Sequence, residues 1–228
     1  TGPDQAAVDR KALEAFATAA DDGRLRRLLY TSGVWVHGDT GDAVLDESAP
    51  LHPLALVRWR AAHEDAVMDL ADHEVAPVVL RPGLVYGESR GILCDMFASA
   101  RSTRIVKYPG SGEQRWALVH RDDVAEAYAL AFEHAKGGER YILVDGSTFN
   151  AREIAESIAR ATGAEARSWE PDDVLRTFGD YGRALLTGQR LSAGKARREL
   201  GWVPRHTSFV AEAEALLGEW ERPKQALG

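Results

Sequence analysis

Three residues of this sequence are suited to handle a proton or hold the oxygen that receives one: Ser32, His37 and Arg60. His37 titrates near neutrality, with an unperturbed pKa of about 6.5. Ser32 places a hydroxyl late in an apolar run. Arg60 stays charged and is a poor proton shuttle, yet its guanidinium can anchor an oxygen. Trp35, Trp59 and Trp116 could supply a flat apolar wall near such chemistry, and Pro82-Gly83 reads as a turn. Simpler roles stand beside these. Ser32 satisfies backbone at a strand end, Arg60 is a solvated charge or the partner of Glu64, His37 is a surface histidine in a loop, and Tyr86 packs. His63 and Glu64 are only two neighbouring ligands, too few for a zinc site. The single cysteine, Cys94, excludes an internal disulfide and a cysteine-rich metal centre.

The elements that must position these groups alternate in type. The first 20 residues and residues 54–72 show helical spacing of apolar side chains; 28–36 reads as a buried strand and 75–87 as a strand running into a loop. A helix near 91–102, a short strand at 105–108, a Gly-rich turn at 109–112, a helix at 122–134 and a strand at 141–144 follow. Asn150 with Glu153 three residues on forms a helix-start pattern, and Gly163 ends that helix. Weaker helices fill 170–187 and 192–200, a last one spans 208–220, and the tail is expected to fray. Strands alternating with crossover helices imply an α/β fold, a doubly wound parallel sheet. In such sheets ligands bind beyond the carboxyl ends of the strands, which puts the chemistry in the loops after Val36 and Leu80. The 228 residues carry 28 basic and 35 acidic side chains, a net charge of −7, which argues against a broad nucleic-acid surface. No run approaches the ~18 apolar residues of a membrane helix, and the start does not resemble a signal peptide; a cytoplasmic protein is expected.

Taken together, several stretches resemble the extended short-chain dehydrogenase/reductase superfamily, in its NAD-dependent epimerase/dehydratase branch. "LLYTSGVWVHG" (28–38) is similar to that family's Ser-Ser-x-x-Val-Tyr-Gly strand end, "HEDAV" (63–67) to the end of its catalytic helix, and "VVLRPGLVYG" (78–87) to its Arg-Pro-x-x-Val-Tyr-Gly segment. "LVHRDDVAEAYALA" (118–131) and "LSAGKARRELGWVP" (191–204) resemble two further motifs. The resemblance implies a Rossmann-like sheet formed by residues 1–88 plus 117–147 and a small C-terminal α/β substrate domain formed by 89–116 plus 148–228. It implies NAD or NADP as cofactor, contacted by Ser32, Gly33, Arg60, Pro82, Gly83 and Val85, and a small-molecule substrate near Trp35, Tyr86 and Trp116. Ser32, Arg60 and His37 are then the catalytic candidates, His120 orders a loop, and Asp123 accepts backbone donors. Relatives often dimerise through the helix corresponding to 54–72, and Leu54, Leu56 and Trp59 would allow that.

Three departures qualify the resemblance. No Gly-x-x-Gly-x-x-Gly loop occurs in these residues; two βα units and a strand, roughly 70 residues, are expected to belong to a longer protein. The family's Tyr-x-x-x-Lys pair falls on Leu56 and Arg60, and its serine on Ser32 or Gly33. The positions that hold a diphosphate read Leu84 and Trp116, with Arg115 able to substitute only if turned inward, so a smaller, less charged carbonyl or alcohol is the expected substrate. Three functions stay open: an oxidoreductase with an altered site, a non-catalytic cofactor-binding sensor or scaffold, and a dehydratase or isomerase that uses the cofactor transiently.

Overall fold

The computed structural model describes residues 5–87 and 91–222. The expected fraying tail, and the junction at 88–89 between the two expected domains, lie outside the described residues. In chain order the elements are α1 (Gln5–Asp21), β1 (Arg27–Thr31), α2 (Arg58–Asp69), β2 (Ala76–Pro82), β3 (Leu84–Tyr86), α3 (Ile92–Thr103), β4 (Ile105–Pro109), β5 (Leu118–His120), α4 (Arg121–His134) and β6 (Glu139–Leu143). Then come α5 (Ala151–Thr162), β7 (Glu165–Trp169), α6 (Pro171–Phe178), α7 (Asp180–Leu185), α8 (Gly194–Leu200) and α9 (Phe209–Glu221).

A parallel sheet in the order β1-β2-β6 forms the centre of the larger body. Its middle strand is apolar without alternation: Val78, Val79 and Leu80 are fully buried, as a strand covered on both faces must be. β1 sorts its side chains by face. Leu28 and Tyr30 pack with Leu13, Val67 and Leu70 from the α1–α2 side, while Leu29 joins the α4 side. Helices therefore cover both faces, the α/β arrangement expected from the alternation.

The run 28–36, expected to be one strand, ends before Gly33, and the strand expected to run into a loop within 75–87 breaks at Gly83. The run 28–36 is a strand only to Thr31, after which Val34–His37 forms a short 3₁₀ turn closed by Gly38 at φ 69°. The run 75–87 breaks at Gly83, where the backbone nitrogen donates to Leu143 O (2.9 Å) and Leu84 N turns to Ala117 O (2.7 Å). β3 thereby leaves the central sheet and pairs with β5. A Cβ on residue 83 would stand 2.4 Å from the Ala117 carbonyl oxygen, so the crossing needs glycine. β7, paired with β4, does not stand out in the sequence because its pattern is largely exposed and polar.

The second body packs α3, α5 and α9 with β4 and β7. α5 begins with a complete capping box, Asn150 accepting from Glu153 N and Glu153 accepting from Asn150 N, both 2.8 Å. Residues 191–202 pack on the first body: Leu191, Ala196, Leu200 and Trp202 share a buried cluster with Leu80 of β2, Tyr141 of β6 and Ala127 of α4. The indole Nε1 of Trp202 donates to Asp123 O at 2.8 Å, fixing that packing.

Candidate active site

The carboxyl ends of β1 and β2 lie side by side. Ser32 N donates to Leu80 O at 2.8 Å, and a Cβ on Gly33 would touch nothing nearer than Pro82 O at 3.9 Å. The Ser32 side chain is 6% exposed, and its Oγ has no hydrogen-bond partner among the described residues. A buried hydroxyl without a partner is uncommon because desolvating it costs free energy. Arg60, from α2, donates Nη1 to Thr31 O at 3.0 Å and lies over the Trp59 ring, 4.5 Å from its centroid. Two pieces far apart in sequence thus meet at one strand end.

Glu64 is not the partner of Arg60. Fully buried, it takes Arg81 instead, accepting Nε at 3.0 and 3.2 Å and Nη2 as well, with Arg140 Nε 3.6 Å away. Arg81 also donates Nη1 to His37 Nε2 at 3.2 Å. His37 is therefore no surface histidine: it is fully buried, and burial followed by the adjacent Arg81 charge lowers its pKa to about 4. Neutral and enclosed, it serves as an acceptor for Arg81 rather than as a proton carrier open to solvent. The group Glu64–Arg81–His37 clamps α2, the end of β2 and the turn after Ser32 together.

Leu56 sits half-buried in the 3₁₀ turn 55–57 that precedes α2, and this turn packs on α7. A second network ties α1, β1 and α2: Asp9 Oδ2 accepts from Tyr30 OH at 2.6 Å and meets His63 Nδ1 at 2.6 Å. Burial, reinforced by Asp9, raises the Tyr30 pKa, so its hydroxyl stays a donor. Asp9 lies in no motif, and Tyr30, inside the 28–38 motif, is not one of the positions that motif singles out.

The three tryptophans pack against different partners. Trp59 meets His63 edge-on at 4.9 Å, Trp35 meets Tyr181 at 6.1 Å, and Trp116 is buried in the second body with Nε1 donating to Leu185 O at 3.1 Å. Three separate elements carry them, so sequence proximity to the site motifs was a poor guide. Tyr86 is also a packing residue rather than a ligand wall: 1% exposed, it lies edge-on to His120 (5.1 Å) and Phe209 (5.3 Å), and burial raises its pKa. Val85 is 41% exposed beside it. Arg115 does not turn toward Trp116; its Nη1 donates to Thr148 O at 2.8 Å.

His120 and Asp123 act as expected. His120 caps α4 by accepting from Asp122 N, and Asp123 accepts Arg205 N (2.9 Å) and His206 N (3.0 Å). His120, Asp122 and His206 bring ligand-type atoms within 4.8 Å of one another. The Nδ1 atoms of the two histidines are committed, that of His120 to the Asp122 amide and that of His206 to Glu212 of α9 at 2.7 Å, and the two rings stack at 3.8 Å. Asp145, not marked by the sequence, is 2% exposed beside a cavity of about 160 Å³; burial, then Asp123 and Glu212, pushes its pKa up to about 6.

Among the described residues, no helix is long and apolar enough to cross a membrane. A 4-hydroxy-2-methyl-3-oxo-4-farnesyl-3,4-dihydroquinoline-1-oxide ketoreductase of Stigmatella aurantiaca is 26% identical, over 85% of this chain and 66% of its own length. A 3-diazoavenalumate denitrifying reductase of a Streptomyces species is 31% identical, over 84% of this chain and 65% of its own. The chain thus spans about two thirds of the length of these relatives. The fold is that of a dTDP-glucose 4,6-dehydratase from Streptomyces venezuelae solved with NAD bound: TM-score 0.79 and 20% identity, over 95% of this chain and 68% of that one. This makes the α/β body a Rossmann fold. The sequence profile of the NAD dependent epimerase/dehydratase family matches residues 5–145, more than half of the chain, and the chain belongs to that family.

Proposed function

We propose that this chain carries the catalytic end of an NAD(P)-dependent oxidoreductase acting on a small carbonyl or alcohol. The observation that carries the reading is the Ser32 hydroxyl, buried and unpartnered beside Gly33 and Pro82, with Arg60 anchored at the same strand end. These residues fit a nicotinamide nucleotide. Arg60 supplies a fixed charge for a ribose hydroxyl, and the backbone at Pro82, Gly83 and Val85 lines the nicotinamide side. The cofactor would supply or accept the hydride. Ser32 would donate a hydrogen bond to the substrate oxygen. Leu56 cannot transfer a proton and His37 is enclosed, so the proton would pass through the Ser32 hydroxyl or water, with Arg60 orienting them. Two relatives named as reductases support net reduction, while two UDP-glucose 4-epimerases, 26% and 28% identical, keep transient use of the cofactor as the alternative.

Leu56 supports a second reading, a protein that binds the cofactor without turnover. Mixing the protein with NADH or NADPH and a panel of aldehydes and ketones, with absorbance and product analysis, separates the two. The oxidoreductase reading expects steady cofactor oxidation that falls about 10²-fold or more in Ser32→Ala, because loss of a positioned proton-transfer group typically costs 10²–10⁴. It also expects weaker cofactor binding in Arg60→Ala. Tight cofactor binding without oxidation would favour the sensor. Product formed without net cofactor change would favour a dehydratase or isomerase.

A further inference from the structure

We propose that the large cavity of the second body, bounded by α3, β4, β7, α6 and α7, binds the aromatic body of the substrate, a flat ring-bearing carbonyl or alcohol without a phosphate. This rests on the oxidoreductase reading and names the substrate class for that site. The cavity measures about 490 Å³, within the roughly 300–1,000 Å³ range of small-molecule pockets. Met96, Trp116, Trp169, Phe178, Tyr181 and Leu185 supply much of its wall. Phe178 is 40% exposed there, an apolar ring whose cover a ligand would complete.

The aromatic rings form a connected series that leads toward the reacting end. Trp169 meets Phe178 edge-on at 5.3 Å, Phe178 meets Tyr181 at 5.9 Å, and Tyr181 meets Trp35 at 6.1 Å. Trp35 lies in the turn that immediately follows Ser32 and Gly33. α7, which carries Tyr181, also packs on the turn that holds Leu56. Tyr181 of the cavity wall thus packs on Trp35, three positions after Ser32, which places the cavity on the side of the second body that faces this turn. Edge-to-face arrays of this kind accept a further ring favourably.

The polar content of the described lining favours an uncharged ligand over a nucleotide. The Ser99 hydroxyl already donates to Ile105 O (2.9 Å), Thr103 to Ser99 O (2.8 Å) and the Trp116 indole to Leu185 O (3.1 Å). Asp95, Lys107 and the Tyr181 hydroxyl remain. Lys107 Nζ lies over Trp169, 4.4 Å from the ring centroid, and is the single cation of the described lining. A diphosphate needs several charge-assisted donors, and the Asp95 carboxylate opposes it. A ring with one carbonyl or hydroxyl group matches what is left, with Tyr181 or Lys107 as its donor.

The test uses calorimetric titration with 2-naphthaldehyde, cyclohexanecarbaldehyde and UDP-glucose, in the presence and absence of NADPH. The expected result is that 2-naphthaldehyde binds most tightly. Phe178→Ala, which removes one wall, and Ser99→Phe, which fills the cavity, should each weaken it about tenfold. NADPH affinity and the thermal melt should stay unchanged in at least one of the two variants. Tighter binding of UDP-glucose than of 2-naphthaldehyde, or naphthaldehyde binding indifferent to both variants, overturns the proposal. Failure of the underlying reading looks different: naphthaldehyde still binds and responds to both variants, but NADPH neither binds nor is oxidised.

Discussion

Replacing Glu64 by glutamine keeps the shape of the side chain and removes its charge. Arg81, 2% exposed, would then be left without its carboxylate in the interior, because the Arg81 head group faces only Glu64 and the neutral His37 among the described residues. Removing one partner of a buried pair costs about 3–5 kcal/mol. For a chain of this size each kcal/mol lowers Tm by about 2–4 °C, so Glu64→Gln should melt about 6–20 °C below the parent. Urea unfolding followed by tryptophan fluorescence gives the free energy directly. The double variant Glu64→Leu/Arg81→Met should recover most of the loss, since apolar replacement of a buried pair is often neutral. It should still fall short by about 1–3 kcal/mol, as His37 Nε2 would keep no donor. A Glu64→Gln protein within about 1 kcal/mol of the parent would refute the clamp. So would a double variant less stable than the single one. Because the clamp joins α2, β2 and the turn after Ser32, cofactor affinity should fall together with stability in the single variant.

Two further outcomes follow from the same interior. Gly83→Ala should destabilise by about 1–3 kcal/mol, because its Cβ meets main chain at Ala117 rather than a yielding side chain; a melt equal to the parent would mean that β2 does not cross β5 that closely. His37 and Asp145 should give the acid limb opposite contributions. His37, held neutral in the fold with a pKa of about 4, loses stability as pH falls from about 6.5 toward 4. Asp145, raised to about 6, carries a burial penalty above that pH that is relieved as pH falls toward 4. Asp145→Asn should therefore be more stable than the parent at pH 7, by about 2–3 kcal/mol, and equal to it near pH 4. Its Tm should consequently fall more steeply on acidification; parallel curves for the two proteins would contradict the sign of the Asp145 shift.

The helices and the parallel order were legible in the residues themselves. Periodicity of apolar positions is a local property, and so are caps such as Asn150–Glu153; both survive folding unchanged. The motif around 28–38 and the leucine at position 56 were equally plain, because type and spacing along one chain suffice to read them. Pairings between distant segments were not. His37 looked like a loop histidine until Arg81, 44 positions on, was brought to its ring, and Glu64 looked like the partner of Arg60 until the same arginine claimed it. The Asp9–Tyr30–His63 network and the Trp35–Tyr181–Phe178–Trp169 series join elements with no shared pattern. Burial and partner choice depend on which surfaces meet after the sheet is assembled, and only the tertiary structure decides that.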